Sequence, residues 1–250
     1  MKRFALLIGG KDLPASSQAQ GVEKDLVDFA NHLVSDRGGA WESSEMEIIL
    51  HPTRGTVLEW LQKVEKSAEY CTILYAGHGC HYKSPLNETA LCLAEKEEIL
   101  VRELNPRTPR HFVILDTCRK LTAVEGKFVK AAASELSLSE RKRAPSYRDS
   151  CRKLFDQAMS ESEEGRSVAY ACDVNQTAGD NEQGGYFTQA MLNHATAFHG
   201  NNAFRIAATA THPVRDNFRL AFETVQNVNY PQKPVLEEGR RITPFPFAIK

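Results

Sequence analysis

Two short segments, Leu74-Tyr75-Ala76-Gly77-His78-Gly79 and Val113-Ile114-Leu115-Asp116-Thr117-Cys118-Arg119, each set a reactive side chain just after an apolar, strand-like run. A thiol attacks a carbonyl well only as the thiolate. A neighbouring imidazole favours that form and later protonates the leaving amine, so His78 with Cys118 suggests acyl transfer. A cysteine behind an apolar strand is more often a small buried hydrophobe. The context points the other way: Gly77 and Gly79 leave room around the imidazole, and Asp116 stands two residues before the thiol on the same strand face. Burying that carboxylate without a use for it would be costly.

Other chemistries find little support. The 250 residues carry a formal net charge of -1 with both signs interspersed, which gives no basic face for nucleic acid. No apolar run approaches a membrane span, and the apolar stretch after Met1-Lys2-Arg3 ends at Gly9-Gly10 too soon for a signal peptide. The cysteines at 71, 80, 92, 118, 151 and 172 form neither a compact disulfide framework nor paired CxxC metal spacing, so no metal site is expected. Reduced thiols and a cytoplasmic location are the simplest expectation. Gly9-Gly10-Lys11 lacks the fuller glycine pattern of a phosphate cradle.

The elements that must position the pair follow from periodicity. Val22, Leu26, Phe29, Ala30 and Leu33 recur at helical spacing after Gly21. Strands are expected at Met46 to Leu50, Cys71 to Tyr75, His111 to Leu115 and Val168 to Cys172, with a small hairpin around Ala90 to Val101. Thr53 is placed to cap a helix bearing Val57, Leu58, Leu61 and Val64. Residues 119 to about 165 break this rhythm with charged, Ala- and Ser-rich sequence, expected to be partly a mobile loop, before a helix near Ser146. Further helices are expected at Phe187 to His199 and Val214 to Val228, and an edge strand at Pro244 to Ile249. Strands alternating with helices imply a parallel sheet with reactive groups at its carboxyl edge. The remaining histidines, His81 among them, read as structural or surface residues.

Tyr75-Ala76-Gly77-His78-Gly79 and Asp116-Thr117-Cys118, in this order, resemble the dyad segments of the caspase, metacaspase and orthocaspase group of cysteine peptidases. Gly21-Val22-Glu23-Lys24-Asp25, Ala171-Cys172-Asp173 through Asp180, Gly185-Tyr186-Phe187-Thr188 and Pro231-Gln232-Lys233-Pro234 resemble further stretches of metacaspases, so the similarity spans the chain. Arg119-Lys120 after the cysteine departs from the metacaspase pattern and shares only the Cys-Arg step with caspases, and Ala76 stands where a serine is usual before the Gly-His-Gly turn. The resemblance implies an α/β caspase-like (caspase-hemoglobinase) fold, with about six strands in a mostly parallel sheet and helices on both faces. It implies one peptidase domain over 1–250: a large-subunit-like part to about residue 118, a linker over about 119–165 and a small-subunit-like part over about 166–250.

The resemblance also implies His78 and Cys118 as catalytic dyad, Gly79 and Cys118 amides as oxyanion hole, and Asp25, Asp116 and Asp173 as substrate-binding residues. Such carboxylates imply cleavage after Arg or Lys. A low-activity precursor cut in the linker, with Arg141-Lys142-Arg143 as candidate site, is implied too, along with an upstream activating protein or protease. No cofactor is expected; calcium dependence is a family habit for which no acidic cluster can be placed. Protein or peptide substrates are the expected partners, with neither nucleic acid nor membrane. The alternatives are a non-catalytic caspase-like scaffold and Asp-directed specificity.

Overall fold

The computed structural model describes residues 1–10, 21–94, 96–122, 134–135, 145–200, 211–228 and 230–249. In chain order it comprises β1 (Arg3–Gly9), α1 (Val22–Val34), β2 (Met46–Leu50), α2 (Arg54–Glu65), β3 (Tyr70–Ala76), β4 (Gly79–Tyr82), β5 (Glu88–Cys92), β6 (Glu98–Leu100), β7 (Arg110–Asp116), β8 (Leu121–Thr122) and β9 (Ser134–Glu135). There follow α3 (Pro145–Glu161), β10 (Gly165–Tyr170), β11 (Asp180–Asn181), β12 (Gly184–Gly185), α4 (Tyr186–Gly200), β13 (Thr211–Pro213), α5 (Val214–Gln226), β14 (Val235–Glu237) and β15 (Pro246–Ile249).

The central sheet runs β14-β10-β7-β3-β1-β2, extended at its far edge by the two-residue β9. Its inner pairs are parallel, and β14 and β9 close the two edges antiparallel. Parallel strands buried on both faces must be apolar throughout, and every residue of Tyr70–Ala76 is buried. Strand alternation sorts their side chains. Leu7, Leu74, Phe112, Ile114 and Ala169 point to a face covered by α1, α3, α4, α5 and β15. Leu6, Ile8, Ile73, Tyr75, Val113 and Leu115 point to the other, covered by α2 and a four-stranded sheet in the order β6-β5-β4-β8. Helices do flank both faces, but on the second a small sheet does much of the covering.

One helix start carries a local capping signal, and another helix is held by contacts distant in sequence. Thr53 Oγ1 accepts the Thr56 amide at 3.1 Å, capping α2. Helix α3 is moored by arginines: Arg148 donates to the carbonyls of Val34 and Trp41, and Arg152 pairs with Glu45. Arg3, buried under Trp41 at 4.6 Å from its ring centre, pairs with Asp156 from the β1 side.

One expectation is corrected and one element is new. The terminal strand at Pro246–Ile249 does not edge the main sheet; it pairs antiparallel with β13 and lays Phe245 and Phe247 on the helical face. Prolines 244 and 246 carry no N–H for a longer ladder. The antiparallel edge is Val235–Glu237, directly after the Pro231 to Pro234 segment. Strand β4, immediately after His78, had no counterpart in the sequence reading.

Candidate active site

The parallel strands β3 and β7 are neighbours in register, Ala76 opposite Asp116, so the residues just beyond their carboxyl ends must meet. They do: His78, Thr117 and Cys118 line one cavity of about 180 Å³ with Asp25, Asp116, Asp180 and Gly185. His78 and Cys118 are both half-buried. The Cys118 thiol donates to the Ala178 carbonyl at 3.7 Å. Burial pushes this thiol above its ordinary value and the Asp116 charge adds to the shift, which favours the protonated thiol.

Asp116 follows Phe112 and Ile114 on the helical face and so points at α1 and α4. There it is buried, and its Oδ2 accepts from the Thr188 amide at 2.9 Å and the Thr188 hydroxyl at 2.7 Å. Asp25, from the first turn of α1, is buried opposite; its Oδ2 accepts from the Gly185 amide at 2.9 Å and its Oδ1 from Gln189 at 3.3 Å. Gly185 fits between them because it has no side chain: a Cβ there would stand 2.3 Å from Asp116 Oδ2. Among the described residues no Lys or Arg pairs with either carboxylate. Burial raises the Asp25 carboxyl to about 8, helped by the charge of Asp116, and burial likewise raises Asp116 to about 6. The cavity thus brings together two buried carboxyls with raised values and, among the described residues, no Lys or Arg paired to them.

Those shifts make a prediction about the empty protein. A carboxyl whose folded-state value is raised contributes stability below its unfolded value near 4 that is lost as pH climbs through the folded value. The buried imidazoles of His32 and His111, both depressed to about 4 by desolvation, act in the opposite sense but only below about pH 6.5. Between about pH 6.5 and 8 the melting temperature should therefore fall, and Asp25→Asn should flatten that fall. Thermal scans showing the same slope for both proteins would remove Asp25 as its source.

Gly79 opens β4 against the end of β7. A Cβ on it would lie 2.4 Å from Thr117 Oγ1 and 3.2 Å from the Cys118 carbonyl oxygen, which puts the two backbone segments of the expected oxyanion hole side by side. Asp173, by contrast, does not line the cavity; its Oδ1 accepts the Val174 amide at 2.7 Å, so it caps its own turn. Asp180 does line it. Arg119 turns away from the cavity: its guanidinium is buried 4.0 Å over the Tyr170 ring and donates to Thr89 Oγ1 at 3.1 Å. His81 bonds to Thr89 and Asn87 inside the small sheet, away from Cys118. Arg141, Lys142 and Arg143 lie outside the described residues.

Sequence reasoning missed Thr188, which holds Asp116, and the β11–β12 ribbon, whose Asp180 and Gly185 line the recess. Gly185-Tyr186-Phe187-Thr188 had signalled only a helix start. Among the described residues no group of three His, Cys, Asp or Glu is arranged to hold a metal ion, and no helix is long and apolar enough to cross a membrane. All six cysteines are free.

No family model matches the chain, and no curated protein matches it in sequence. In three dimensions it is similar to the crystal structure of caspase-1 from Spodoptera frugiperda. The superposition covers 95% of this chain and 86% of that chain with a TM-score of 0.60, at 11% sequence identity. Agreement over nearly the whole chain at so low an identity is agreement of fold: the architecture is caspase-like, a mostly parallel sheet between helices.

Proposed function

We propose that this chain is a cysteine endopeptidase that cleaves protein substrates after Arg or Lys through His78 and Cys118. One observation carries the reading: a single cavity at the carboxyl edge of the sheet is lined at once by an imidazole, a thiol and two buried carboxylates that no Lys or Arg among the described residues pairs with. In the mechanism, His78 takes the thiol proton as Cys118 Sγ bonds to the scissile carbonyl carbon. The carbonyl electrons move to oxygen, facing the Gly79 and Cys118 amides. The C–N bond then breaks as His78 returns the proton to the leaving amine, leaving a thioester. Water, deprotonated by His78, attacks that thioester, and the thiol is regenerated with the carboxylic acid product.

No metal enters any step. The basic preference rests on Asp25 and Asp116, which as carboxylates pair with a bound guanidinium or ammonium and repel a P1 carboxylate. Hydrolysis of a fluorogenic positional peptide library by the wild-type chain tests the proposal: release confined to Arg and Lys at P1 is expected, and a library left intact overturns it.

Activation by linker cleavage belongs to the same proposal. Strand β10 lies between β7 and β14, so a chain cut between β9 and α3 would keep its parts together through that pairing and through the Arg3, Arg148 and Arg152 contacts of α3. Mass spectrometry of active enzyme should find two co-purifying fragments with a junction at 141–143. Full activity in an intact chain would exclude processing as the trigger.

A further inference from the structure

Tyr75 ends the same apolar run that delivers His78, yet its ring turns to the opposite face from Asp116. It is wholly buried, and its hydroxyl sits where three chain segments converge. The carbonyl oxygens of His78 and Cys92 each lie 2.6 Å from it. Gly10, at the end of β1, packs so closely that a Cβ there would stand 2.2 Å from the hydroxyl oxygen and 2.5 Å from the Cys92 carbonyl oxygen. The Cys92 amide in turn donates to the His78 carbonyl at 3.0 Å. A buried phenol facing two carbonyl oxygens is a donor with nowhere else to give its proton, and burial pushes its ionisation well above the ordinary range. It therefore stays a donor across any working pH.

We infer that Tyr75 is a positioning residue for the catalytic histidine, its hydroxyl proton shared between the His78 and Cys92 carbonyls so that the His78 main chain is held beside β5 and the place of the imidazole is fixed. The inference rests on the peptidase reading above. A turn of Ala76-Gly77-His78-Gly79, with a glycine on each side of the histidine, has little stiffness of its own. The imidazole must nevertheless accept a proton from Cys118 and return it to the amine, and catalytic geometry tolerates displacements of well under an ångström. The hydroxyl supplies that restraint from beneath the turn. Neither Asp25 nor Asp116 lies within its reach, so the recess for the P1 side chain is left alone.

The test compares Tyr75→Phe with Tyr75→p-aminophenylalanine, introduced by codon suppression. The first keeps the ring and removes the donor; the second restores N–H donors at the same place. Hydrolysis of an Arg-P1 fluorogenic peptide should show kcat down about ten- to a hundredfold in Tyr75→Phe. KM should stay within about twofold of wild type, and the amino variant should recover most of kcat, a split that general loosening of the fold does not produce. Wild-type kcat in Tyr75→Phe, equal losses in both variants, or failure of Tyr75→Phe to fold each overturns the inference, the last by making the hydroxyl a determinant of the whole fold. Wild type and His78→Ala run alongside: an inert wild type condemns the peptidase reading instead.

Discussion

Cys118→Ala should reduce peptide hydrolysis by at least about a thousandfold, and His78→Ala by a comparable factor, in proteins that still fold. The first removes the atom that forms the covalent bond, so no thioester can accumulate. The second leaves a thiol that burial keeps protonated and that has lost its acceptor. Both side chains stand half-exposed at the cavity rather than in the core, and truncation there leaves a gap that water fills. Circular dichroism and melting temperature should accordingly stay near wild type. Turnover by Cys118→Ala close to that of wild type would locate the chemistry elsewhere. A wild-type chain inert across the whole peptide library would instead favour the scaffold alternative, in which the sheet edge serves only to bind.

That His78 and Cys118 meet in one cavity was legible because they sit at the ends of strands that sequence marks clearly. Runs such as Cys71-Thr72-Ile73-Leu74-Tyr75 and Phe112-Val113-Ile114-Leu115 are nearly uninterrupted in apolar character, as strands buried on both faces must be. Asp116 was legible by the same alternation, since it stands two residues from each of Ile114 and Cys118. What escaped was structure whose stability comes from partners distant in sequence. Gly79-Cys80-His81-Tyr82 has no strand-like pattern of its own; it is a strand because β5 and β8 pair with it on either side. Val235-Leu236-Glu237 is too short to carry a period, and only β10 makes it an edge. Thr188 is one of many threonines until α4 brings its amide and hydroxyl onto Asp116. Asp173, a plausible third carboxylate from sequence, is drawn off by the amide of its own neighbour.

The double variant Asp25→Ala/Asp116→Ala should lose at least about thirtyfold in kcat/KM toward Arg-P1 peptides, because a cation left in a recess without its partner costs about 2–5 kcal/mol or more. The two carboxylates are held differently, which separates their expected roles. Thr188 occupies one oxygen of Asp116 with two donors, so that group is fixed in orientation. Asp25 receives one backbone donor and one longer bond from Gln189, and its raised value means that it holds a proton near neutral pH when the recess is empty. Binding a guanidinium must expel that proton. For Arg-P1 substrates kcat/KM should therefore rise with pH through about 8, while a peptide with an uncharged P1 residue, however poor, should show no such limb. Lysine should follow arginine but less strongly, since its compact ammonium cannot present a planar fork to two carboxylates on facing walls. Asp25→Asn alone should abolish the rising limb and keep a residual basic preference from Asp116. A positional library showing cleavage after Asp, or unchanged Arg-P1 hydrolysis in the double variant, would show that specificity is set by other groups than these two.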